Sequence, residues 1–293
     1  MPRARRLLIL TVFIVYAVNG CKAADVESAQ KPSITLAPGM SEINVPASLS
    51  ESHSGQPIAV DIYIPETTTT FRGDILVLPG WNFSRKEWQN KSHLVKLASE
   101  KNFRLIFPEM KTTLYESSYY PETRMKWAPT PGGQWVKEIF IPQLQRYGLL
   151  IRGNRNFLLG LSTGARGVAL VTLQNPGLFT AGAALSGDYD QSVMSRDRLM
   201  TKVYGAYDAF PERWTGKDNP QKRISEWTMP IYLGHGHKDA VVPFSQTKTF
   251  YEALKTAHPA LMIRFNEPAQ AGHDFTYWAS ELPAVIDFFL SVP

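Results

Sequence analysis

Cysteine is almost absent from the 293 residues: Cys21 is the only one, so no internal disulfide can form and no metal site can be built from clustered thiolates. An excess of one charge is also lacking. Lys and Arg number 31 against 26 Asp and Glu, a formal net charge of +5, and without Arg3, Arg5 and Arg6 near the N-terminus the remainder carries only +2. No Lys/Arg-rich run interleaved with aromatics follows, which excludes nucleic acid as an expected partner. Long apolar runs are missing too, apart from residues 7–18, which are short for a membrane span of roughly 20 residues. What is present is enough for a core: 44% of residues are hydrophobic and 12% aromatic, and the 19% charged residues are too few for a disordered chain. With no disulfides, stability has to come from that core.

The first residues carry an address. Basic residues at 3, 5 and 6 followed by the apolar stretch 7–18 form the two parts of an export signal. Gly20-Cys21 after Val18-Asn19 is similar to a bacterial lipoprotein box, although Asn19 departs from the usual small or apolar residue. Lipidation of Cys21, which would tether the protein to a membrane, and plain cleavage after Ala23, or an uncleaved anchor, all remain open. The expected location is outside the cytoplasm, in the periplasm or as a membrane-anchored lipoprotein. The expected organisation is a signal peptide over 1–23, a tether and edge strand over 24–49, and one catalytic domain over 50–293.

Within that domain, short apolar runs alternate with amphipathic stretches. Strands are predicted at 58–64, 74–78, 104–107, 156–161, 181–186, 231–235 and 262–265, and helices at 84–100, 133–147, 163–174, 244–256 and 277–290. Such alternation predicts an α/β fold with a mainly parallel central sheet and helices on both faces, and ligands of such sheets bind at the carboxyl ends of the strands. The Thr run at 67–70 reads as a turn. Two segments break the pattern, 112–131 and 188–227, both rich in Tyr, Trp, Pro and charged residues, and they are expected to overhang that edge as a small lid insertion. Their aromatics, Tyr115, Tyr119, Tyr120 and Trp127 in one and Tyr204, Tyr207, Phe210 and Trp214 in the other, could line a pocket for an aromatic or sugar group. Packing of the lid onto the sheet is the favoured reading, since large aromatics are usually core.

Chemistry concentrates at Gly160-Leu161-Ser162-Thr163-Gly164, where an apolar strand runs into a helix. A serine on such a sharp turn exposes its hydroxyl, and tight packing excludes side chains at the flanking glycines. A serine hydroxyl needs a neutral imidazole to take its proton. Of the six histidines, His53, His93 and His258 read as surface residues and His235 and His237 as loop structure, which leaves His273 after the last strand as the base. The base needs a carboxylate to orient it, and Asp239 follows the strand at 231–235. Asp188 and Asp190, after an earlier strand, compete for that role. The order Ser162, Asp239, His273 is that of α/β-hydrolases rather than of chymotrypsin-like or subtilisin-like enzymes. For the oxyanion hole, the backbone N–H groups of Trp81 and Thr163 are the candidates, with the Asn82 side chain as a further donor or merely a helix cap. No metal or organic cofactor is required.

Several stretches together carry a more specific likeness: Trp135-Val136-Lys137-Glu138 leading to Ile141-Pro142, the segment from Gly160 to Gly167, Asn175 to Phe179, Leu185-Ser186-Gly187, and Gly272-His273-Asp274-Phe275 with Trp278. In these the chain resembles the esterase D group of α/β-hydrolases, which includes S-formylglutathione hydrolases, feruloyl and acetyl-xylan esterases, siderophore esterases and mycolyltransferases. The resemblance places Ser162, Asp239 and His273 on the group's triad. Thr163 stands where Met is usual and Ala165 where a second Gly is common. It implies a serine esterase acting on a small-molecule or polysaccharide-linked ester, and export argues against S-formylglutathione, a cytosolic metabolite. A serine peptidase of prolyl-oligopeptidase-like type and a non-catalytic surface-binding protein on the same fold are the alternatives. The peptidase is the less expected because such enzymes usually carry a large additional domain. Oligomeric state is not legible in the sequence.

Overall fold

The computed structural model describes residues 35–50, 55–67 and 69–293; the stretch expected to be an export signal, Cys21 and His53 lie outside the described residues. Strand faces follow the period of two. In β3 (Gly73–Leu78) Ile75 and Val77 enter one apolar layer while Leu76 and Leu78 enter the other, and in β5 (Asn156–Leu161) Phe157, Leu159 and Leu161 oppose Leu158 in the same way. A strand buried on both faces belongs in the middle of a covered sheet.

Eight strands among the described residues form one sheet in the order β1-β2-β4-β3-β5-β6-β7-β8. β1 (Gly39–Val45), β2 (Ile58–Ile64) and β4 (Phe103–Pro108) pair antiparallel, whereas β4, β3, β5, β6 (Ala181–Leu185), β7 (Ile231–Gly234) and β8 (Ile263–Asn266) run parallel. One face packs against α5 (Thr163–Gln174), α8 (Phe244–Ala257) and the helical segment after residue 131. The other packs against α2 (Leu94–Lys101) and α9 (Phe275–Ser291). This is the α/β-hydrolase fold. The strand order reverses at β3, with β4 on one side and β5 on the other, so the loops that leave β3 and β5 diverge and open a crevice at the sheet's carboxyl edge.

Two predicted helices are broken, each for a local reason. The stretch at 84–100 becomes α1 (Glu87–Lys91) and α2, because the Ser92 hydroxyl donates to the Trp88 carbonyl at 2.5 Å and accepts the Leu94 N–H at 3.2 Å, ending one helix and starting the next. The stretch at 133–147 becomes α3 (Gly132–Trp135), a π-helical turn (Val136–Phe140) and α4 (Ile141–Gln145); Pro142 supplies no N–H, so the regular ladder cannot run through it.

The two overhanging segments fold onto each other. The second contributes α6 (Arg198–Tyr204) and α7 (Pro211–Thr215), and Leu114 of the first packs with Met200, Val203, Tyr204 and Trp214 of the second into a third apolar cluster. Of the aromatics there, Tyr115 is buried against the sheet's apolar layer and Tyr204 and Trp214 are buried between the two segments, while Tyr119, Tyr120, Trp127, Tyr207 and Phe210 stay partly exposed.

Candidate active site

The turn after β5 builds the centre of the site. Ser162 takes φ +53° and ψ −125°, a conformation that a side-chain-bearing residue rarely adopts, and its N–H is anchored on the Leu185 carbonyl at 2.8 Å. The turn closes only because its flanks are bare. A Cβ on Gly160 would lie 2.1 Å from the Gly164 carbonyl oxygen, and one on Gly164 would lie 2.2 Å from that of Leu78. Gly80, after β3, brings a second loop so close that a Cβ there would sit 3.3 Å from the Ser162 Cβ.

The structure brings Ser162, His273 and Asp239 together from the loops after β5, β8 and β7. His273 Nδ1 lies 2.6 Å from Asp239 Oδ2, and Nε2 lies 2.9 Å from Ser162 Oγ. A carboxylate can only accept, so Nδ1 carries the proton and Nε2 is left to accept from the serine hydroxyl. The imidazole is braced by the edge of Trp278, whose ring centre is 4.9 Å away, and Trp278 Nε1 donates to Ser186 Oγ at 3.1 Å. Asp239 is well supplied with donors. Burial alone would raise its carboxyl, but hydrogen bonds from His235 and His273 and from the Val242 and Val241 amides prevail and hold it well below the ordinary carboxylate range.

The competing acids are engaged elsewhere. Asp188 pairs with the buried Arg166 at 3.1 Å, and Asp190 accepts from Ser192 and Asn219 and pairs with Lys222 at 3.2 Å. Among the described residues the backbone N–H groups of Trp81 and Thr163 find no acceptor, whereas the Asn82 N–H is taken by the Lys111 carbonyl at 2.6 Å. Asn82 does not cap α1 either, since Lys86 occupies that position.

Two histidines differ from their sequence reading. His258 is partly buried and bonded through Nε2 to the Ile224 carbonyl at 2.7 Å, not simply a surface residue. His235 is fully buried beside Asp239, with Nε2 at 3.2 Å from Oδ2. Its spacing of four residues before Asp239 was the available signal, but a loop gives spacing no fixed geometry. His93 is exposed, as expected of it, and His237 is exposed in the loop after β7. Among the described residues no cluster of His, Cys, Asp and Glu is arranged to hold a metal. A cavity of about 390 Å³ opens on the β2 and β4 side, between Ile58, Arg85, Glu109, Lys111, Trp127 and Pro129; no triad residue lines it.

A model of the prolyl oligopeptidase family matches residues 142–291, a stretch that holds all three triad residues. The chain belongs to the prolyl oligopeptidase family. It is thus a hydrolase of the serine esterase/peptidase type. A comparison with curated proteins finds no match. Solved structures that share the family's α/β-hydrolase fold include a fluorophosphonate-binding serine hydrolase of Staphylococcus aureus, 15% identical, with 87% of this chain and 100% of that one covered and a TM-score of 0.67. An S-formylglutathione hydrolase from Agrobacterium tumefaciens is 16% identical over 86% of this chain and 95% of its own, TM-score 0.69. An acylaminoacyl peptidase of Pyrococcus horikoshii is 14% identical over 87% of this chain and 42% of its own, TM-score 0.66. Esterase-type and peptidase-type members thus surround the chain on one fold, and the likeness to the esterase D group stands at that level.

Proposed function

We propose that the chain is an exported serine esterase that forms an acyl-enzyme on Ser162. The observation that carries this reading is the unbroken hydrogen-bond path from Ser162 through His273 to Asp239 at the carboxyl ends of β5, β8 and β7. In the reaction, Ser162 Oγ attacks the ester carbonyl as its proton passes to His273 Nε2. The Trp81 and Thr163 N–H groups, free of other acceptors, receive the oxyanion. The tetrahedral adduct collapses, and the alkoxide leaves with the proton returned by His273. Water, deprotonated by the same imidazole, then attacks the acyl-enzyme, releases the acid and restores the serine. Asp239 keeps its negative charge throughout and steadies the imidazolium.

A fluorophosphonate probe tests the nucleophile: Ser162 is expected to be labelled, and Ser162→Ala to lose both labelling and ester turnover, by about 10⁶-fold for the rate. An Ala variant that keeps its turnover would overturn the assignment. The family match supports a second reading, cleavage of peptide bonds by the same triad. Matched ester and amide substrates of one acyl group separate the two, because a peptidase cleaves the amide with a substantial kcat/KM whereas an esterase leaves it essentially intact. Export and a tether through Cys21 belong to the proposal as well, and rest on the leader's sequence. Cys21→Ala is expected to release the protein from the membrane fraction; release of the unaltered protein under the same fractionation would speak for simple cleavage.

A further inference from the structure

His235 directly follows β7 and takes no part in the acyl transfer, yet its imidazole lies fully buried against Asp239. Its Nε2 faces two oxygens, the Val242 carbonyl at 3.1 Å and Asp239 Oδ2 at 3.2 Å. Both are acceptors only, so Nε2 must carry a proton whatever the charge on the ring. On the other side Nδ1 meets Thr247 Oγ1 at 2.7 Å, and that hydroxyl is also 3.2 Å from the Gly187 carbonyl. The backbone N–H of His235 is held by the Asn266 carbonyl at 3.0 Å, and the ring is flanked by Phe244 at 5.8 Å. The imidazole is therefore fixed by α8, β8 and the loop after β6, and Asp239 is its only charged neighbour within ion-pair distance among the described residues.

Asp239 is gripped from two sides. Oδ1 accepts the N–H groups of Val241 and Val242 at 2.9 and 2.8 Å, while Oδ2 lies between two imidazoles, His273 at 2.6 Å and His235 at 3.2 Å. Binding the Val242 carbonyl as well, His235 also closes the turn that supplies those amides. We propose that His235 is a positioning residue for the reaction: its Nε2–H shares the charge of Asp239 and fixes the carboxylate in the orientation that His273 requires. This rests on the reading of Asp239 as the acid of the triad.

The consequence is electrostatic as well as geometric. With the second donor gone, the negative charge on Asp239 bears more strongly on His273, and the imidazolium is favoured to higher pH. The other groups around His273 are Ser162, Trp278 and Asp274, and the Asp274 side chain is occupied in capping α9 at Tyr277 N, 3.0 Å away. His237, two residues on, pairs with Glu267 at 3.0 Å.

The test compares His235→Leu with His235→Gln in the full chain, using a p-nitrophenyl ester over a range of pH with melting temperature as the check on folding. His235→Leu is expected to lose about 10- to 100-fold in kcat, as for removal of a hydrogen bond to a charged group, with KM nearly unchanged and the acid limb of kcat/KM moved to higher pH. His235→Gln, which can place an N–H where Nε2 stood, is expected to recover most of the rate and the position of the limb. A folded Leu variant with wild-type kcat and limb would overturn the proposal, and so would a Gln variant that loses as much as Leu while the limb stays put. Should the Leu variant fail to fold, Thr247→Val removes only the hydroxyl that fixes Nδ1; a smaller loss with the limb displaced in the same direction supports the proposal, and an unchanged rate and limb counts against it. Fluorophosphonate labelling of the wild type separates the two levels. If the wild type does not label Ser162, the triad reading falls and the inference with it; if it labels and His235→Leu behaves as wild type, only the inference falls.

Discussion

At φ +53° Ser162 sits where the backbone resists a side chain, at a cost of order 1–3 kcal/mol, and the surrounding structure holds it there with the Leu185 carbonyl and the bare flanks of two glycines. The gain is a hydroxyl raised out of the turn toward His273. The same scale separates the acid from its rivals. Asp239, Asp188 and Asp190 all follow strand ends, but only Asp239 reaches His273, and the others have their own cationic partners. Replacement of Asp239 by Asn is therefore expected to cut kcat by about 10⁴-fold, as loss of the orienting carboxylate does in serine hydrolases generally. Asp190→Asn should leave turnover close to wild type. Steady-state kinetics on the two purified variants decides between them, and a large loss in Asp190→Asn alone would reassign the acid.

At the scale of elements, α5 does more than follow the nucleophile. Four residues on from Ser162 it carries Arg166, a fully buried guanidinium that reaches both overhanging segments: Nη1 donates to Asp188 at 3.1 Å, Nη2 to the Asp218 carbonyl at 2.5 Å and Gln191 Oε1 at 2.9 Å, and Nε to the Leu114 carbonyl at 3.3 Å. Asp218 in turn accepts the Ser117 N–H, tying the first segment to the second. Arg166→Met is expected to destabilise the fold by about 3–5 kcal/mol, because it strands a buried carboxylate rather than replacing the whole network. Chemical denaturation measures this directly, and a loss under about 1 kcal/mol would show the network to be dispensable. Gly164 is constrained in a different way, by lack of space. Gly164→Ala would push the turn against the Leu78 and Pro79 carbonyls, 2.2 and 2.6 Å from the new Cβ. Overpacking of that kind is expected to cost about 1–3 kcal/mol, and since those carbonyls lead into Gly80 and Trp81, ester turnover should fall with stability.

Over the whole molecule, buried carboxyls set the response to acid. Burial raises Glu116, Asp188 and Asp218 above the ordinary carboxylate range in spite of the hydrogen bonds each accepts, whereas Asp239 is held low. A carboxyl raised in the folded state contributes stability below its unfolded value of roughly 4, and that contribution is lost as pH rises through its folded value. Asp239 works in the opposite sense, present above roughly 4 and lost as pH falls further. The raised groups act between neutrality and roughly pH 4, and the lowered ones, Asp239 together with Asp190, Glu122 and Glu226, act below it, so the melting temperature is expected to hold or rise from about pH 7 to about pH 5 and to fall only below about pH 4; calorimetry across that range would contradict this if it fell steadily from neutrality. The parallel strands, α5 and the Ser, Asp, His order were legible because each depends on local pattern: apolar period, a glycine-framed turn, and chain order along a sheet. The break of 84–100 at Ser92 was not, since a hydroxyl that both ends and starts a helix leaves the apolar spacing intact. Nor was the role of His235, or the joining of 112–131 to 188–227 through Arg166, because a buried imidazole and a buried guanidinium take their meaning from partners up to 52 residues away. The sequence by itself determined the fold class, the glycine-framed turn at Ser162 and the order Ser162, Asp239, His273; that Asp239 and not its neighbours lies within hydrogen-bond distance of His273, and what holds it there, depended on the tertiary packing that brings the strand ends together.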